Sequence, residues 1–426
     1  MRIYLYLKSF TTDLGKRDGT TKAVQGLALA LAAQKIPVTV LFEGPQASKT
    51  MVATGLTYQC FVHQTTAPSF QISSGLQAFL KQLLPEKDLV ILNGGFHCSV
   101  YTVSRILKRQ GISYIVAPHL NYDVQMFSKR PWLKYPYWYL VEYQVLKDAL
   151  AIQVLDQRQT KVLRDRGISS PTIEVFNGFE PSDVIAANEL VWRLDSDDPI
   201  RVFFLGRMSA HTKGLDLLLQ AFSKLTLNAA QLNLKTFPQL VMQGKSVGDD
   251  TKLLKQTVQL GIEHCVTLRA GDYSTPPPQL MAHQDILCLP SRSEGFGLSA
   301  LEAMLVGRVL LVSEVAGIAR HVVESGCGIA VKSDAYSVQA GLEWLLTRRS
   351  HWKEMGLRGR DYAMKQLSWH TIAQKALVDY EQLMHHYPGQ HNANWGSNGN
   401  EGSRVSSGVE SEQCSGVDRS RASSDC

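Results

Sequence analysis

The chain has 426 residues, of which 44% are hydrophobic and 19% charged, and a formal net charge of +6. That length exceeds one typical core and predicts two domains, while the composition excludes a chain that is disordered or membrane-embedded throughout. The positive excess suits a phosphate-rich ligand or an anionic membrane surface but is too mild to point to nucleic acid.

Met1–Leu7 reads as a strand rather than a signal peptide, because it is short and polar Lys8–Lys16 follows at once. No run reaches the roughly 20 apolar residues of a membrane span. The 7 cysteines are scattered without a C-x-x-C pair, so neither a metal knuckle nor a disulfide framework is expected. A reducing cytoplasm is the simple reading.

Residues 1–180 alternate apolar runs with helical patterns. Strands are predicted at Arg2–Leu7, Pro37–Phe42, Gln59–His63, Leu89–Leu92, Ser113–Ala117, Ala151–Leu155 and Ile173–Phe176. Helices are predicted at Thr20–Gln34, Val100–Arg109, Pro136–Lys147 and Arg158–Arg166. This is the pattern of a doubly wound α/β domain. A polar loop, Ser9–Gly19, follows the first strand, so Gly19 and Thr20 stand where a helix start could meet a phosphate. No G-x-G-x-x-G is present, so the loop is not a dinucleotide fingerprint, and a plain βα turn is the other reading. His119 closes the fifth predicted strand and would project into a cleft. It could donate to a phosphate or a sugar, or be a satisfied loop histidine. Ser128–Tyr143 reads SKRPWLKYPYWYLVEY, a basic-aromatic stretch. It would suit a membrane interface, stacking on sugar rings, or a helix whose aromatics pack inward. Asn177-Gly178 is a turn signal.

Residues 181–199 are polar and weakly patterned and read as a linker. A second α/β domain, 200–365, opens with a strand at Ile200–Leu205. Gly206–Gly214 then brings Arg207 and Lys213 between that strand and a helix, Leu215–Leu225, which makes an anion site: arginine as a planar fork, lysine as a point charge. Further strands are expected at Leu240–Gly244 and Val266–Arg269. Asp285–Pro290 is another, followed by the loop Ser291–Gly297, a helix from Leu298 to Gly307 and a strand at Val309–Ser313. Gly295 and Gly297 let backbone approach a ligand closely, and the amides of Phe296–Ser299 at the helix start suit a phosphate. Glu294 and Glu302 lie about 12 Å apart even along a continuous helix, too far for an acid/base pair on one atom. Ser299–Glu302 also matches a capping box. No D-x-D stands at a strand end, so no bound metal is implied. Trp369–Tyr387 is amphipathic, and 388–426 has the composition of a disordered tail.

The run Glu294–Met304, E-G-F-G-L-S-A-L-E-A-M, resembles the Glu-x7-Glu motif of family 4 retaining glycosyltransferases, the glycosyl transferases group 1 with the GT-B fold. Gly206–Gly214 resembles that family's G-R-x5-K-G element. The resemblance covers residues 1 to about 387. It implies two Rossmann-like doubly wound domains facing each other across a cleft, with 366–387 crossing back to the first. By the same likeness Glu294 lies by the donor sugar and Glu302 holds the nucleotide ribose. Phe296, Gly297 and Leu298 meet the diphosphate through their amides, and Arg207 and Lys213 neutralise it. Arg269 or Tyr273 could touch the base, or the segment is a helix-entry turn. His119 would lie beside sugar and diphosphate, and Gly19 and Thr20 would form the first-domain phosphate loop. Asn121, Tyr122 and Asp123 could touch an acceptor.

The implied activity is transfer of a hexosyl-type sugar, with retention and without metal, from an NDP-sugar to a glycan or lipid-linked acceptor in polysaccharide or envelope glycan synthesis. No cofactor is implied beyond the donor substrate. The implied place is the cytoplasm or the inner face of the plasma membrane, contacted through residues 128–143. A nucleotide-sugar epimerase and a non-catalytic nucleotide-sugar-binding protein are the alternatives. The chain departs from the family at Asp18, where glycine is usual, at Leu120, at Arg308 and Val309 after Gly307, and at Ala316 and Arg320. The last departures bear on donor choice more than on fold.

Overall fold

Arg2–Tyr6 (β1) buries every residue but Arg2, the mark of a strand covered on both faces. Six more strands join it side by side in parallel: Val38–Gly44 (β2), Leu56–Val62 (β4), Asp88–Asn93 (β5), Tyr114–Ala117 (β6), Ala151–Val154 (β7) and Thr172–Glu174 (β8). Ser48–Ala53 (β3) is the exception and pairs antiparallel with β4. The sheet order is β3-β4-β2-β1-β5-β6-β7-β8. The structure is a computed structural model that describes residues 1–11, 13, 18–63, 69–120, 122, 124–128, 130–192, 198–227 and 237–386. The tail expected to be disordered lies outside the described residues.

The second sheet is wholly parallel. It contains Arg201–Leu205 (β9), Gln239–Gly244 (β10), Val266–Ala270 (β11), Ile286–Leu289 (β12), Val309–Ser313 (β13) and Gly328–Val331 (β14), in the order β11-β10-β9-β12-β13-β14. This is the doubly wound Rossmann order, whose direction reverses between β9 and β12. The first sheet reverses between β1 and β5. Ligands of such sheets bind beyond the strand C-termini at the reversal, which places a site on each domain. Among the described residues no helix is long and apolar enough to cross a membrane.

Two strands were not expected and two predicted helices need correction; β14, four residues long and led by Gly328, is the first of those strands. β3 is the second: none of its residues is fully buried, so it has no apolar face to give a pattern. The helix expected over Pro136–Lys147 begins at Pro131, and Trp138–Glu142 within it is a π-helical turn. The helix expected to reach Gly307 ends at Leu305, and Gly307 (φ +65°) makes the turn.

The Trp369–His386 helix packs on the Gly19–Ala33 helix of the first domain. Trp369, Ile372, Ala373, Ala376 and Tyr380 join that domain's core. The fit depends on Gly26, where an added Cβ would lie 2.0 Å from Trp369 Nε1. Phe179 N donates to Leu367 O (3.3 Å), and Phe179 forms a parallel bridge with Ser368, so both connections between the domains run side by side.

Candidate functional site

The loop between β12 and the Leu298–Leu305 helix is held from several sides. Gly297 takes φ +103° as the N-cap of that helix. Phe296 is buried and stacks on Phe176 of the first domain, with ring centroids 6.4 Å apart. Ile318 N donates to Phe296 O (2.9 Å), and an added Cβ at Gly317 would lie 2.6 Å from Gly295 O. The capping-box expectation is overturned: Gly297 caps the helix, and Glu302 turns its carboxylate to Lys22 of the first domain instead.

The loop after β9 is tied to this one. Arg292 forms a two-pronged pair with Asp216 (2.7 and 2.8 Å), and its amide donates to Thr212 O. Gly214 (φ +65°) allows the close approach, since a Cβ there would lie 2.1 Å from Pro290 O. Across this junction Lys213 Nζ donates to Glu294 Oε2 (2.5 Å), both side chains being largely buried. Ser291 Oγ also donates to Glu294 Oε2 (3.3 Å). The two oppositely charged residues singled out in separate motifs, 81 positions apart, thus meet. Arg207 is exposed in the loop that follows β9 and leads to Lys213.

His119 follows β6 with φ +56°, and Phe96 follows β5 with φ +60°. Left-handed backbone at non-glycine residues is strained and recurs at functional sites. His119 Nε2 lies 2.8 Å from Asn93 Oδ1. Because the Asn93 amide nitrogen donates to the carbonyls of Tyr6 and Ile91, its oxygen is the acceptor. The hydrogen-bond pattern therefore puts the His119 proton on Nε2 and leaves Nδ1 as an acceptor. Burial lowers the His119 pKa to about 4, against the opposing pull of Asp18, so the ring is neutral at pH 7. An added Cβ at Gly295 would lie 3.6 Å from His119 O, so this histidine borders the second domain's loop.

Gly19 touches the second domain: its added Cβ would lie 3.3 Å from Leu298 Cδ1. The helix start of Gly19 and Thr20, expected to meet a phosphate, already holds a carboxylate, since Asp18 accepts from Thr21 N (2.8 Å). Arg269 and Tyr273 lie at and after the end of β11, the edge strand, and Tyr273 is exposed. Tyr122, expected as an acceptor contact, is buried and donates to Glu142 (2.5 Å), so it is not available. Asn121 and Asp123 lie outside the described residues. The departures at Arg308 and Arg320 have partners within the chain: Arg308 donates to the carbonyls of Val191 and Gln284, and Arg320 pairs with Glu174 of the first domain.

Sequence reasoning missed Asn93, Gly94, Gly95 and His97, which line the loop after β5. The signal was an Asn-Gly-Gly closing a fully buried strand. Nor was a role read for Glu142, which sits on the π-helical turn and accepts from Phe96 N (3.0 Å) and Tyr122. Burial pushes its pKa up from 4.5 to about 7, partly offset by those two hydrogen bonds. An acid whose pKa is raised on folding binds its proton more tightly in the fold, so it costs stability as pH rises from 4.5 through about 7. The stability of the wild type relative to Glu142→Gln should fall across that window by roughly 3 kcal/mol. Urea unfolding of both proteins at either end measures this. His119 and His321, whose pKa values are lowered to about 4, act in the opposite sense and cancel in the difference. A constant difference would mean that Glu142 is ionised throughout.

Residues 128–143 are divided. Trp138 is buried and Tyr137 stacks on Phe96, whereas Trp132, Leu133, Tyr135, Tyr139 and Leu140 are exposed.

Residues 188–362 match the family model of glycosyl transferases group 1. The chain is 27% identical over 208 residues to an MMP alpha-(1->4)-mannosyltransferase of Mycolicibacterium hassiacum, covering 48% of this chain and 46% of that protein. It is 29% identical over 213 residues to a D-inositol 3-phosphate glycosyltransferase of Segniliparus rotundus, covering 48% and 44%. The chain thus spans just under half the length of these relatives. Among solved structures, sucrose-phosphate synthase from Thermosynechococcus elongatus superposes with a TM-score of 0.68 at 17% identity, over 91% of this chain and 100% of the other. HepE of Anabaena, in complex with UDP and glucose, gives 0.65 at 16%, over 90% and 100%. At such identities the likeness is one of fold, and the fold is GT-B.

Proposed function

We propose, from the match of residues 188–362 to the glycosyl transferases group 1 model and from the GT-B fold, that this protein transfers a sugar from an NDP-sugar to a glycan or lipid-linked acceptor, with retention and without metal. The observation that carries the reading is the Lys213–Glu294 pair beside the Leu298–Leu305 helix start, beyond β9 and β12. Breaking the bond between sugar C1 and phosphate leaves negative charge on the diphosphate. Arg207, Lys213 and the amides of Phe296, Gly297 and Leu298 would stabilise that charge as it develops. The acceptor hydroxyl attacks C1 on the face the diphosphate leaves. The new C–O bond forms as the C1–phosphate bond breaks, and the hydroxyl proton passes to a diphosphate oxygen. Glu294, held by Lys213, positions the sugar. Neutral His119 offers Nδ1 to a sugar hydroxyl. Glu302 accepts from the ribose, and Arg269 or Tyr273 stacks on the base.

The first test is thermal unfolding with UDP, GDP and ADP. A ligand at about 100 times its Kd should stabilise by about 2.7 kcal/mol. One of the three should do so, and its sugar conjugate should release that diphosphate only when an acceptor is supplied. Conversion of the conjugate without acceptor would identify an epimerase instead, and no shift with any of the three would sink the donor reading.

A cytoplasmic protein working on a lipid-linked acceptor at the membrane's inner face is supported by exposed Trp132, Leu133, Tyr139 and Leu140 beside exposed Arg130. The protein should co-sediment with phosphatidylglycerol-rich vesicles, and Trp132→Glu with Leu140→Glu should release it. Unchanged sedimentation of the double variant would remove this surface from the reading.

A further inference from the structure

Lys22 lies one turn inside the Gly19–Ala33 helix, and its ammonium group reaches two other parts of the chain. It donates to Asp183 Oδ1 (2.9 Å) and to Glu302 Oε1 (2.8 Å), residues 161 and 280 positions away. One charge belongs to the first domain, one to the linker and one to the second domain. Their side chains are only 15%, 9% and 9% exposed. Removing three charges from water costs several kcal/mol per ion before their attraction repays it, and an apolar trio of similar size would often be as stable. Such a cluster therefore calls for a reason other than stability.

The geometry supplies one. Asp183 is fixed from behind: its second oxygen accepts from Glu180 N (2.9 Å), closing the turn at Pro181–Asp183. Asp183 thus anchors Lys22, and Lys22 in turn orients Glu302. Only one Glu302 oxygen is used; among the described residues, Oε2 makes no hydrogen bond. Burial raises the Glu302 pKa above the usual carboxylate range, with Lys22 opposing the rise and Asp183 adding to it.

We infer that Lys22 is a positioning residue for the donor nucleotide: it holds Glu302 turned so that Oε2 accepts a hydrogen bond from a ribose hydroxyl. This rests on the donor-site reading above. Without the ammonium, Glu302 faces Asp183 as a buried like charge, so it takes up a proton or turns away, and either change removes the acceptor. The ribose contact then belongs to both domains, although Lys22 itself never touches the nucleotide.

The test separates ribose recognition from general damage. Binding of UDP, GDP and ADP is measured by titration calorimetry beside the 2′,3′-dideoxy form of each. The wild type should bind its preferred ribonucleotide about tenfold more tightly than the dideoxy form, the scale of a hydrogen bond to a charged group. Lys22→Met should bring the two forms to parity, with dideoxy binding unchanged, and Lys22→Arg should restore the preference. Lys22→Gln replaces Lys22→Met if the latter does not fold. Equal weakening of both forms, or an intact preference in Lys22→Met, overturns the assignment. A wild type that binds both forms equally also overturns it while leaving the diphosphate contacts of Arg207 and Lys213 standing. A wild type that binds none of the six overturns the donor reading as well.

Discussion

Lys213→Ala should lower the rate of sugar transfer by at least about 10²–10³-fold, the range found when one preorganised donor to a developing anion is removed. Two effects combine here. The substitution takes away a positive charge beside the leaving diphosphate. It also leaves Glu294, largely buried and now without its ammonium partner, close to an anionic ligand. Glu294→Ala should fall by a similar factor, because the sugar loses the group that orients it. The double variant should be little worse than either single one, since residues that act as a unit are not additive. Single-turnover release of nucleoside diphosphate from the preferred donor measures all three, with circular dichroism to confirm folding. Near-normal turnover in Lys213→Ala would remove the pair from the chemistry.

Trp369→Ala should destabilise the protein by about 3–5 kcal/mol, the usual cost of truncating a large buried aromatic. Trp369 fills the space above two glycines: added Cβ atoms at Gly26 and Gly178 would lie 2.0 and 2.8 Å from its ring. Neither glycine carries a side chain that could move into the gap. The helix that begins at Trp369 also holds Tyr380, whose hydroxyl donates to Gln153 Oε1 (2.8 Å) in the first domain. The loss should appear as a lower urea midpoint with an unchanged slope. A change below about 1 kcal/mol would mean that this helix contributes little to the first domain's core.

Most of the parallel strands were legible because buried strands are nearly continuous apolar runs: Ile286–Leu289 is one residue shorter at each end than expected and Val309–Ser313 has the expected bounds, while β14, short and led by Gly328, was missed. β3 was not legible, because an exposed edge strand carries no such run. The Arg207, Lys213, Glu294 and Glu302 motifs could be read locally, since glycines and charges at fixed spacing follow strands. What a linear reading could not supply was the partner of each charge. Nothing near Glu302 in the chain announces Lys22, and nothing near Arg320 announces Glu174. Tyr122 was misjudged for the same reason: its hydroxyl is committed to Glu142, a residue on another element.

Phe179 and Ser368 lie against each other where the chain leaves the first domain and where it returns. Two covalent straps fixed at one place act as a two-pin hinge. Rotation about the line through the pins would have to break the Lys22–Glu302, Arg320–Glu174 and Phe176–Phe296 contacts, whereas sliding or twisting of one half against the other would also have to stretch a strap. Opening is thereby reduced to nearly one degree of freedom, and displacement grows with distance from the pins. The same few residues would set the lever arm for any movement of one half against the other.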